Sequence, residues 1–181
     1  TDLNRQILQT HSHIGQPRMV QILKRLKTLN PFMEIESIAE NVTETNARSL
    51  VSSADVIVDA APLFEERFAL NRAAVAARKP MVECAMYAFE AQLTTILPGK
   101  SPCLECWVGE NPSGWRRRFP VLGAVSGTVG CLAAVEVVKL IAGIGVPLYG
   151  LLLTMDLASM EFRKLRLARS KDCPVCGPLF L

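Results

Sequence analysis

The sequence predicts an α/β fold built on a doubly wound sheet, with a parallel core and antiparallel strands toward the C-terminus. Three observations predict it. Half of the 181 residues are hydrophobic, helix-like and strand-like patterns alternate over residues 14–84, and the last two strand-like segments are separated by a short turn. A chain of this length is long enough for one domain with a full core, and two domains would be crowded.

The first elements are predicted from apolar spacing. Apolar residues recur at helical spacing from Ile14 to Leu29, and Asn30-Pro31 ends that helix. Residues Glu34–Ile38 alternate between polar and apolar, which predicts a strand. Residues Thr43–Leu50 predict a short helix that is capped by Thr43.

The next segments continue the alternation of helix and strand. Residues 55–61 have a continuous apolar centre, which is typical of a parallel strand that is covered on both faces. Residues Phe64–Arg78 predict a helix closed by Lys79-Pro80, and residues Met81–Cys84 begin another strand. This alternation of helix and strand segments indicates a doubly wound α/β sheet.

The regular alternation of helix and strand patterns stops in the second half of the chain. Segments 92–97, 150–157 and 161–167 read as strands, and the last two are close enough in sequence to pair antiparallel. Residues Val121–Gly143 are almost entirely apolar but carry a Glu-Lys pair in their last third. We therefore predict a buried helix there and no membrane span.

Two Cys-x-x-Cys pairs, Cys103 with Cys106 and Cys173 with Cys176, are the most specific motif in the sequence. Each lies in a stretch interrupted by proline or glycine, and such turns direct two thiolates at one point, as half of a tetrahedral zinc site requires. We predict one closed, structural zinc site that staples the C-terminus to the middle of the domain. Two disulfides or a redox-active pair are the alternatives.

The charge balance excludes some function classes. A net charge of +3 gives no case for a nucleic-acid surface. The sequence shows no basic-then-apolar leader pattern, so we expect a cytoplasmic protein without a membrane partner.

Several motifs together resemble those of one enzyme family. They are Asn4-Arg5-Gln6, the Asp59/Arg67/Asn71 spacing after a buried strand, the Gly- and Val-rich run 121–130, Gly-Ile-Gly at 143–145 and Cys-Pro-Val-Cys at 173–176. With these motifs the chain resembles the ThiF/MoeB/HesA family, the bacterial relatives of ubiquitin-activating enzymes, over essentially all 181 residues. The resemblance implies a Rossmann-like sheet in a single ThiF/MoeB-type domain.

The family's chemistry is expected to follow from the resemblance. MgATP adenylates the C-terminal glycine carboxylate of a small ubiquitin-like carrier protein that ends in Gly-Gly, and the acyl-adenylate serves sulfur transfer in thiamine, molybdopterin or related biosynthesis. Such enzymes need cations and oriented donors around the phosphates. The resemblance also implies a homodimer, in which the 121–143 helix is a plausible contact.

The resemblance assigns the nucleotide site to five residues. Arg5 and Arg18 fall on positions that contact ATP phosphates and are the expected catalytic residues. Asn4, Gln6 and Asp59 complete the expected nucleotide-binding set. Arginine at position 18 stands where the family usually has lysine, which keeps the charge but changes its geometry from a point to a fork.

One departure from the family pattern bears directly on activity. Three residues beyond Asp59, where the family usually has Asp-Asn with the aspartate on Mg²⁺, this chain has Pro62-Leu63. Glu65 or Glu66 could supply a carboxylate from the next turn. The alternative function is a catalytically degenerate relative that binds or scaffolds a partner without enzymatic activity.

A second departure concerns the start of the chain. The resemblance places a strand, a glycine-rich turn, a helix and a further strand before Thr1. We therefore expect residues 1–181 to be a fragment of a longer protein that lacks this N-terminal segment.

Overall fold

The computed structural model describes residues 2–177, which form a five-stranded sheet with helices on both faces. The sheet order follows the chain order, β1-β2-β3-β4-β5. The helices are α1 (Arg18–Leu29), α2 (Ala47–Ser52), α3 (Phe64–Ala76), α4 (Leu104–Trp107) and α5 (Gly123–Ala142), and the strands are β1 (Ile57–Asp59), β2 (Met81–Tyr87), β3 (Glu90–Ile96), β4 (Leu151–Asp156) and β5 (Glu161–Arg166). Short 3-10 turns cover Asp2–Asn4 and His11–His13.

The sheet is mixed, which confirms the predicted α/β class. Strands β1 and β2 pair in parallel, and Asp59 and Glu83 are directly opposite each other in this pair. The pairs β2–β3, β3–β4 and β4–β5 are antiparallel, as predicted for the strands toward the C-terminus. The parallel part of the described sheet is thus one strand pair, and the rest is a meander.

Each face of the sheet is covered by its own hydrophobic cluster. On one face, Met81 and Ile96 belong to a cluster with α3, α4 and the cysteines of both Cys-x-x-Cys pairs. On the other face, Val82 and Leu93 pack in a cluster with α5. Because side chains alternate along a strand, neighbouring residues such as Met81 and Val82 serve opposite cores.

Helix α5 carries the apolar segment that the sequence analysis assigned to a helix. Its length and composition would let it cross a membrane, and 22% of its most apolar stretch is buried within the structure. The helix forms as predicted, but the prediction that it is buried is wrong, because one side packs on the sheet while residues such as Val135, Val138 and Ile141 are exposed. It packs on the sheet through Val125, Val129 and Ala133. Buried Glu136 accepts hydrogen bonds from Thr95 Oγ1 (2.5 Å), from the Leu148 amide (2.8 Å) and from Lys139 Nζ (2.6 Å). The helix ends at Ala142 and is capped by Gly143, whose φ of 65° is left-handed.

The strand predicted at Glu34–Ile38 does not form, so this prediction is wrong. The segment is irregular and mostly exposed, because no strand in the described part of the chain lies beside it to accept its backbone hydrogen bonds. The short helix predicted at 43–50 begins later, at Ala47, after a turn in which the Asn46 amide donates to Thr43 Oγ1 (3.3 Å).

The N-terminal turn lies against the start of α5. The Asn4 Nδ2 donates to the Val121 carbonyl at 3.0 Å. A Cβ atom at Gly123 would lie 2.1 Å from the Asn4 carbonyl oxygen, far inside any tolerable contact. Glycine at position 123 therefore allows the segment that carries Arg5 to pack onto the helix.

We expect Gly123→Ala to displace the N-terminal turn without unfolding the domain. Hydrogen exchange of amides 3–9 should speed up about tenfold, because the turn loses its packing site. Gly130→Ala on the same helix is the matched control, since a Cβ there meets no atom within 4 Å. Unchanged exchange at residues 3–9 in Gly123→Ala would show that the close contact does not hold this segment.

Candidate functional site

Four cysteine thiols converge at one point in the structure. The Sγ atoms of Cys103, Cys106, Cys173 and Cys176 all lie within 4.8 Å of one another. The separations include 3.6 Å between Cys103 and Cys173 and 3.3 Å between Cys106 and Cys176. A disulfide requires about 2.05 Å, so all four are free thiols. Tetrahedral zinc with bonds of about 2.3 Å holds its sulfurs about 3.8 Å apart, and the cluster fits that ion.

Local turns aim each pair of thiols. The Cys106 amide donates to the Cys103 carbonyl at 3.0 Å, and the Gly177 amide donates to the Cys173 carbonyl at 2.9 Å. Cys103, Cys173 and Cys176 are buried, and Cys106 is partly exposed. Four protein ligands would fill the coordination of zinc and leave no open position, as in structural sites.

A second buried cluster lies at the end of strand β1. Arg67 Nη1 on α3 donates to Asp59 Oδ2 (3.3 Å), to Glu83 Oε1 (3.0 Å) and to the Cys84 carbonyl (3.2 Å). The other oxygen of Asp59 accepts from the Ala61 amide at 3.0 Å. Asp59 is fully buried, and this burial raises its pKa although Arg67 opposes the shift.

Glu83 is the less satisfied carboxylate of this cluster. Its Oε1 also accepts from Gln92 Nε2 at 3.5 Å, whereas its buried Oε2 has no hydrogen-bond partner among the described residues. Burial raises the pKa of Glu83 to about 7, with Arg67 opposing the shift and Asp59 adding to it. One guanidinium therefore faces two carboxylates and can offset only one negative charge. Ionising the second carboxylate would bury an uncompensated charge, which is expensive.

The predicted phosphate-binding residues lie in the N-terminal segment. Arg5 is half-buried and donates to Asn4 Oδ1 at 3.0 Å, and Gln6 is exposed. Arg18 is exposed at the first residue of α1, where its backbone carbonyl accepts from Gln9 Nε2 at 3.3 Å. It lines a hollow of about 210 Å³.

The Pro62-Leu63 segment forms the entry to helix α3. Leu63 takes the position before the first helical turn, with an extended backbone and no side-chain cap. Trp115, from the loop that precedes α5, donates its indole Nε1–H to the Pro62 carbonyl at 2.9 Å. A hydrogen bond to a loop thus occurs at the position where the family usually has its metal-binding aspartate.

The first turn of α3 contacts the same loop through its acidic residues. Asn111 Nδ2 donates to Glu65 Oε1 at 3.2 Å, and Arg117 lies 3.8 Å from Glu66. Among the described residues, the four cysteines are the one group of three or more His, Cys, Asp or Glu side chains that could hold a metal ion. Asp59, Glu65 and Glu66 do not belong to such a group among the described residues, and a role for any of them toward Mg²⁺ stays a prediction.

A groove of about 510 Å³ opens on the sheet face that α3 covers in part. Trp115 packs on Phe64 edge-to-face, with ring centroids 5.2 Å apart, and lies 6.1 Å from the Tyr87 ring. These three rings line one part of the groove. Apolar residues such as Ala85 and Met155 line the rest, together with polar side chains that include Glu90, Gln92, Asp156 and Arg163. A concave site with apolar walls and a few polar groups is the usual form of a ligand site.

Comparison with known proteins gives the family. The sequence matches the ThiF family over residues 1–175. The chain belongs to the ThiF family. Protein HesA from Nostoc sp. strain PCC 7120 is 52% identical over 176 residues, which cover 97% of this chain and 70% of HesA. The sulfur carrier protein adenylyltransferase of Thermus thermophilus is 36% identical over 186 residues, covering 98% of this chain and 69% of that protein.

The fold of this ThiF-family chain also matches solved structures. E. coli MccB crystallised with ATP superposes with a TM-score of 0.79 at 22% identity, covering 97% of this chain and 55% of the MccB chain. This is a likeness of fold. The chain spans 64–70% of the length of four HesA relatives.

The structure distributes the predicted site residues of this ThiF-family chain over three places. It brings the four cysteines together, as the spacing predicted. It places Asn4, Arg5 and Gln6 in one segment and Arg18 at the start of α1. It buries Asp59 in the Arg67 cluster, away from solvent. The nucleotide-binding roles of these residues stay predictions.

Sequence reasoning missed two features of the site. Glu83 stands inside an apolar strand, and a charge in such a position is itself a signal of a buried partner. The sequence around Trp115 does not predict its position in the groove, because its contacts with Phe64 and Pro62 join segments that are far apart in the sequence.

Glu83→Gln is expected to change how stability depends on pH. In the folded chain the pKa of Glu83 is raised from 4.5 to about 7, so the folded state holds the proton that the unfolded state releases. The free energy of unfolding should therefore fall as pH rises from about 4.5 to about 7, at up to about 1.4 kcal/mol per pH unit relative to Glu83→Gln.

Urea unfolding of both proteins across this range measures the effect. Protonation of the cysteines affects both proteins alike and cancels in the difference. Curves for the two proteins that run parallel from pH 4.5 to 7 would contradict the raised pKa.

Proposed function

We propose that this chain is part of an ATP-dependent adenylyltransferase that activates the C-terminal glycine of a small ubiquitin-like sulfur-carrier protein. The groove beside Phe64, Tyr87 and Trp115 is the observation that carries the proposal. Its volume of about 510 Å³ and open form suit an extended glycine-rich tail, which needs room for the backbone and few side-chain pockets. The relative from Thermus thermophilus is named a sulfur carrier protein adenylyltransferase.

The reaction asks for positioning more than for proton transfer. A carboxylate oxygen of the carrier attacks the α-phosphorus of ATP, which forms the acyl-adenylate. The bond from that phosphorus to the oxygen that bridges to the β-phosphate breaks, and pyrophosphate leaves with the electron pair. The protein must hold the carboxylate in line and offset negative charge on the phosphates.

Arg5 and Arg18 are the cations that we assign to this task. A guanidinium is always protonated and presents a planar set of donors that matches phosphate oxygens. Asn4 supports Arg5 through the 3.0 Å hydrogen bond and is itself held by the Val121 carbonyl. Gln6 follows in the same segment and could add a neutral donor.

Asp59 does not fit the role of a Mg²⁺ ligand in this arrangement. Its oxygens accept hydrogen bonds from Arg67 and from the Ala61 amide, and its side chain is fully buried. Pro62 and Leu63 offer no side-chain ligand. Magnesium would therefore arrive with its substrate as MgATP, and we assign no step to a protein-held Mg²⁺.

The four cysteines would hold zinc as a structural ion. With Cys103, Cys106, Cys173 and Cys176 as thiolate ligands, zinc would cross-link α4 to the C-terminal turn and contribute to folding. Thiamine, molybdopterin or a related sulfur-transfer pathway would use the activated carrier. The predicted cytoplasmic location stays a prediction.

One observation favours a second function, a binding or scaffolding relative without catalysis. The edge at which the family has its metal-binding aspartate is occupied by Pro62, which accepts the Trp115 hydrogen bond. Asp59 already forms a buried ion pair with Arg67. A protein that kept the fold and the groove could still bind a carrier tail without adenylating it.

We also propose that the protein forms a homodimer through helix α5. Its exposed face carries a stripe of small and apolar residues at helical spacing, Gly127, Ala134, Val138 and Ile141, and small residues allow close approach of a second backbone.

Gly127→Leu should shift a dimer to a monomer in sedimentation velocity, because the larger side chain fills the space where a second helix would pack. Thr128→Leu, one residue further and also exposed, is the control and should leave the dimer intact. The proposal fails if the unmodified protein sediments as a monomer or if Gly127→Leu stays dimeric.

ATP–pyrophosphate exchange, with and without carriers that end in Gly-Gly, tests the enzymatic function. We expect carrier-dependent exchange that falls about a hundredfold in Arg5→Ala, since one lost donor to a charged transition state costs this order of rate. Arg25→Ala, an exposed arginine on α1, is the control and should exchange normally.

Absence of exchange with every carrier, from folded protein shown to contain zinc, would overturn the enzymatic proposal. Binding of the carrier without exchange would then support the scaffolding function.

A further inference from the structure

Helix α3 extends from the four-cysteine cluster to the groove. Asn71, on this helix, is fully buried. Its Oδ1 accepts from the Leu104 amide at 3.0 Å, and its Nδ2 donates to Glu105 Oε2. Both partners belong to the short helix α4 and lie between Cys103 and Cys106 in the sequence. A single side chain therefore joins α3 to the turn that aims two of the thiols.

The other end of α3 forms part of the groove. Arg67, one helical turn before Asn71, is held by Asp59 and Glu83. Phe64, at the first residue of the helix, lines the groove and packs against Trp115. Any movement of the helix along its axis would therefore displace Phe64 relative to Trp115 in the groove wall.

Helix α4 has only four residues, too few to be stable by itself. Its shape depends on what holds its ends. Zinc bound to the cysteines would fix it, whereas free thiols about 3.3–4.0 Å apart share no covalent bond and are joined only by weak sulfur hydrogen bonds. The conformation of α4, and with it the position of the two Asn71 partners, should therefore follow the occupancy of the cysteine site.

We propose that Asn71 is a positioning residue that couples metal occupancy of the four-cysteine site to the order of the groove wall. When the site is loaded, α4 is fixed, Asn71 holds α3 in register, and Phe64 and Trp115 pack together. When it is empty, α4 loosens, α3 loses this anchor, and the aromatic wall opens. This inference rests on the proposed zinc site and on the groove, but not on adenylation.

The 181-residue chain contains two tryptophans, which allow a direct test. Trp107 lies beside Cys106, and Trp115 lies in the groove. The Nε1 of Trp107 has no hydrogen-bond partner among the described residues, so Trp107→Phe removes its signal without breaking such a bond. Trp115 is then the single fluorescent reporter of the groove.

The first experiment removes zinc from Trp107→Phe protein with a chromophoric chelator, which counts the metal released. Circular dichroism verifies that the helices persist. Acrylamide quenching of Trp115 should increase about twofold or more as the wall opens. Unchanged quenching after full release of zinc would overturn the proposal, and so would protein that holds no zinc when purified.

The second experiment breaks the coupling without removing the metal. In the zinc-loaded Trp107→Phe protein, Asn71→Leu keeps the side-chain size but removes both hydrogen bonds. We expect Trp115 to be quenched as in the metal-free protein, with faster hydrogen exchange at residues 62–68 and little further change on chelation. Asn71→Asp keeps the acceptor for the Leu104 amide. Its Trp115 quenching should lie between that of the zinc-loaded protein with Asn71 and that of Asn71→Leu. It replaces Asn71→Leu in the test if Asn71→Leu does not fold.

Arg72→Ala is the matched control. Arg72 lies next to Asn71 on α3 and donates to Glu105 Oε1 at 2.6 Å, but it is partly exposed and leaves the Leu104 amide bond intact. Arg72→Ala in the zinc-loaded Trp107→Phe protein should leave the acrylamide quenching of Trp115 unchanged. Wild-type quenching and exchange in a folded, zinc-loaded Asn71→Leu protein would assign Asn71 no coupling role. Because neither readout involves ATP or a carrier, a failed exchange assay leaves this test unaffected.

Discussion

The meeting of four thiols at one point fixes the path of the second half of the chain. Cys103 and Cys106 lie just after strand β3, whereas Cys173 and Cys176 lie beyond strand β5. Everything between them, including α5 and the β4–β5 hairpin, is one loop closed at this point. Closing so long a loop removes much conformational entropy from the unfolded chain, so a bound metal would stabilise the fold strongly.

The buried ion cluster is a second constraint, with a different effect. Arg67 donates to two carboxylates and a backbone carbonyl with one nitrogen. Such a cluster adds little net stability, because the cost of removing charges from water offsets their attraction. Its effect is geometric, since it ties α3 to strands β1 and β2 about one helical turn from Phe64, which packs against Trp115.

The sequence was sufficient for features that depend on local spacing. The cysteine pairs predicted their convergence, the apolar run at 121–143 predicted α5, and the hairpin of β4 and β5 followed from two strand patterns with a short turn. These features need only short-range periodicity or a motif with strict geometry, which a single sequence contains.

Features that depend on distant partners could not be predicted. The β2–β3 hairpin turns at Ala88-Phe89, which lacks the usual glycine or asparagine, and Ala88 has a positive φ of 52°. That turn is supported by a hydrogen bond from the Ala88 amide to the Pro120 carbonyl at 3.0 Å, which only the folded chain provides. The Glu34–Ile38 pattern failed for the converse reason, because it lacks a described partner strand.

Strand β5 forms the last position of the described sheet, and all six of its residues are exposed. Half of them, Arg163, Lys164 and Arg166, are positively charged. Two such edges brought together would place like charges side by side while their side chains lost water. This edge of the described sheet also exposes Phe162 and Leu165, but its charges therefore protect it against joining the sheets of two molecules into a continuous aggregate.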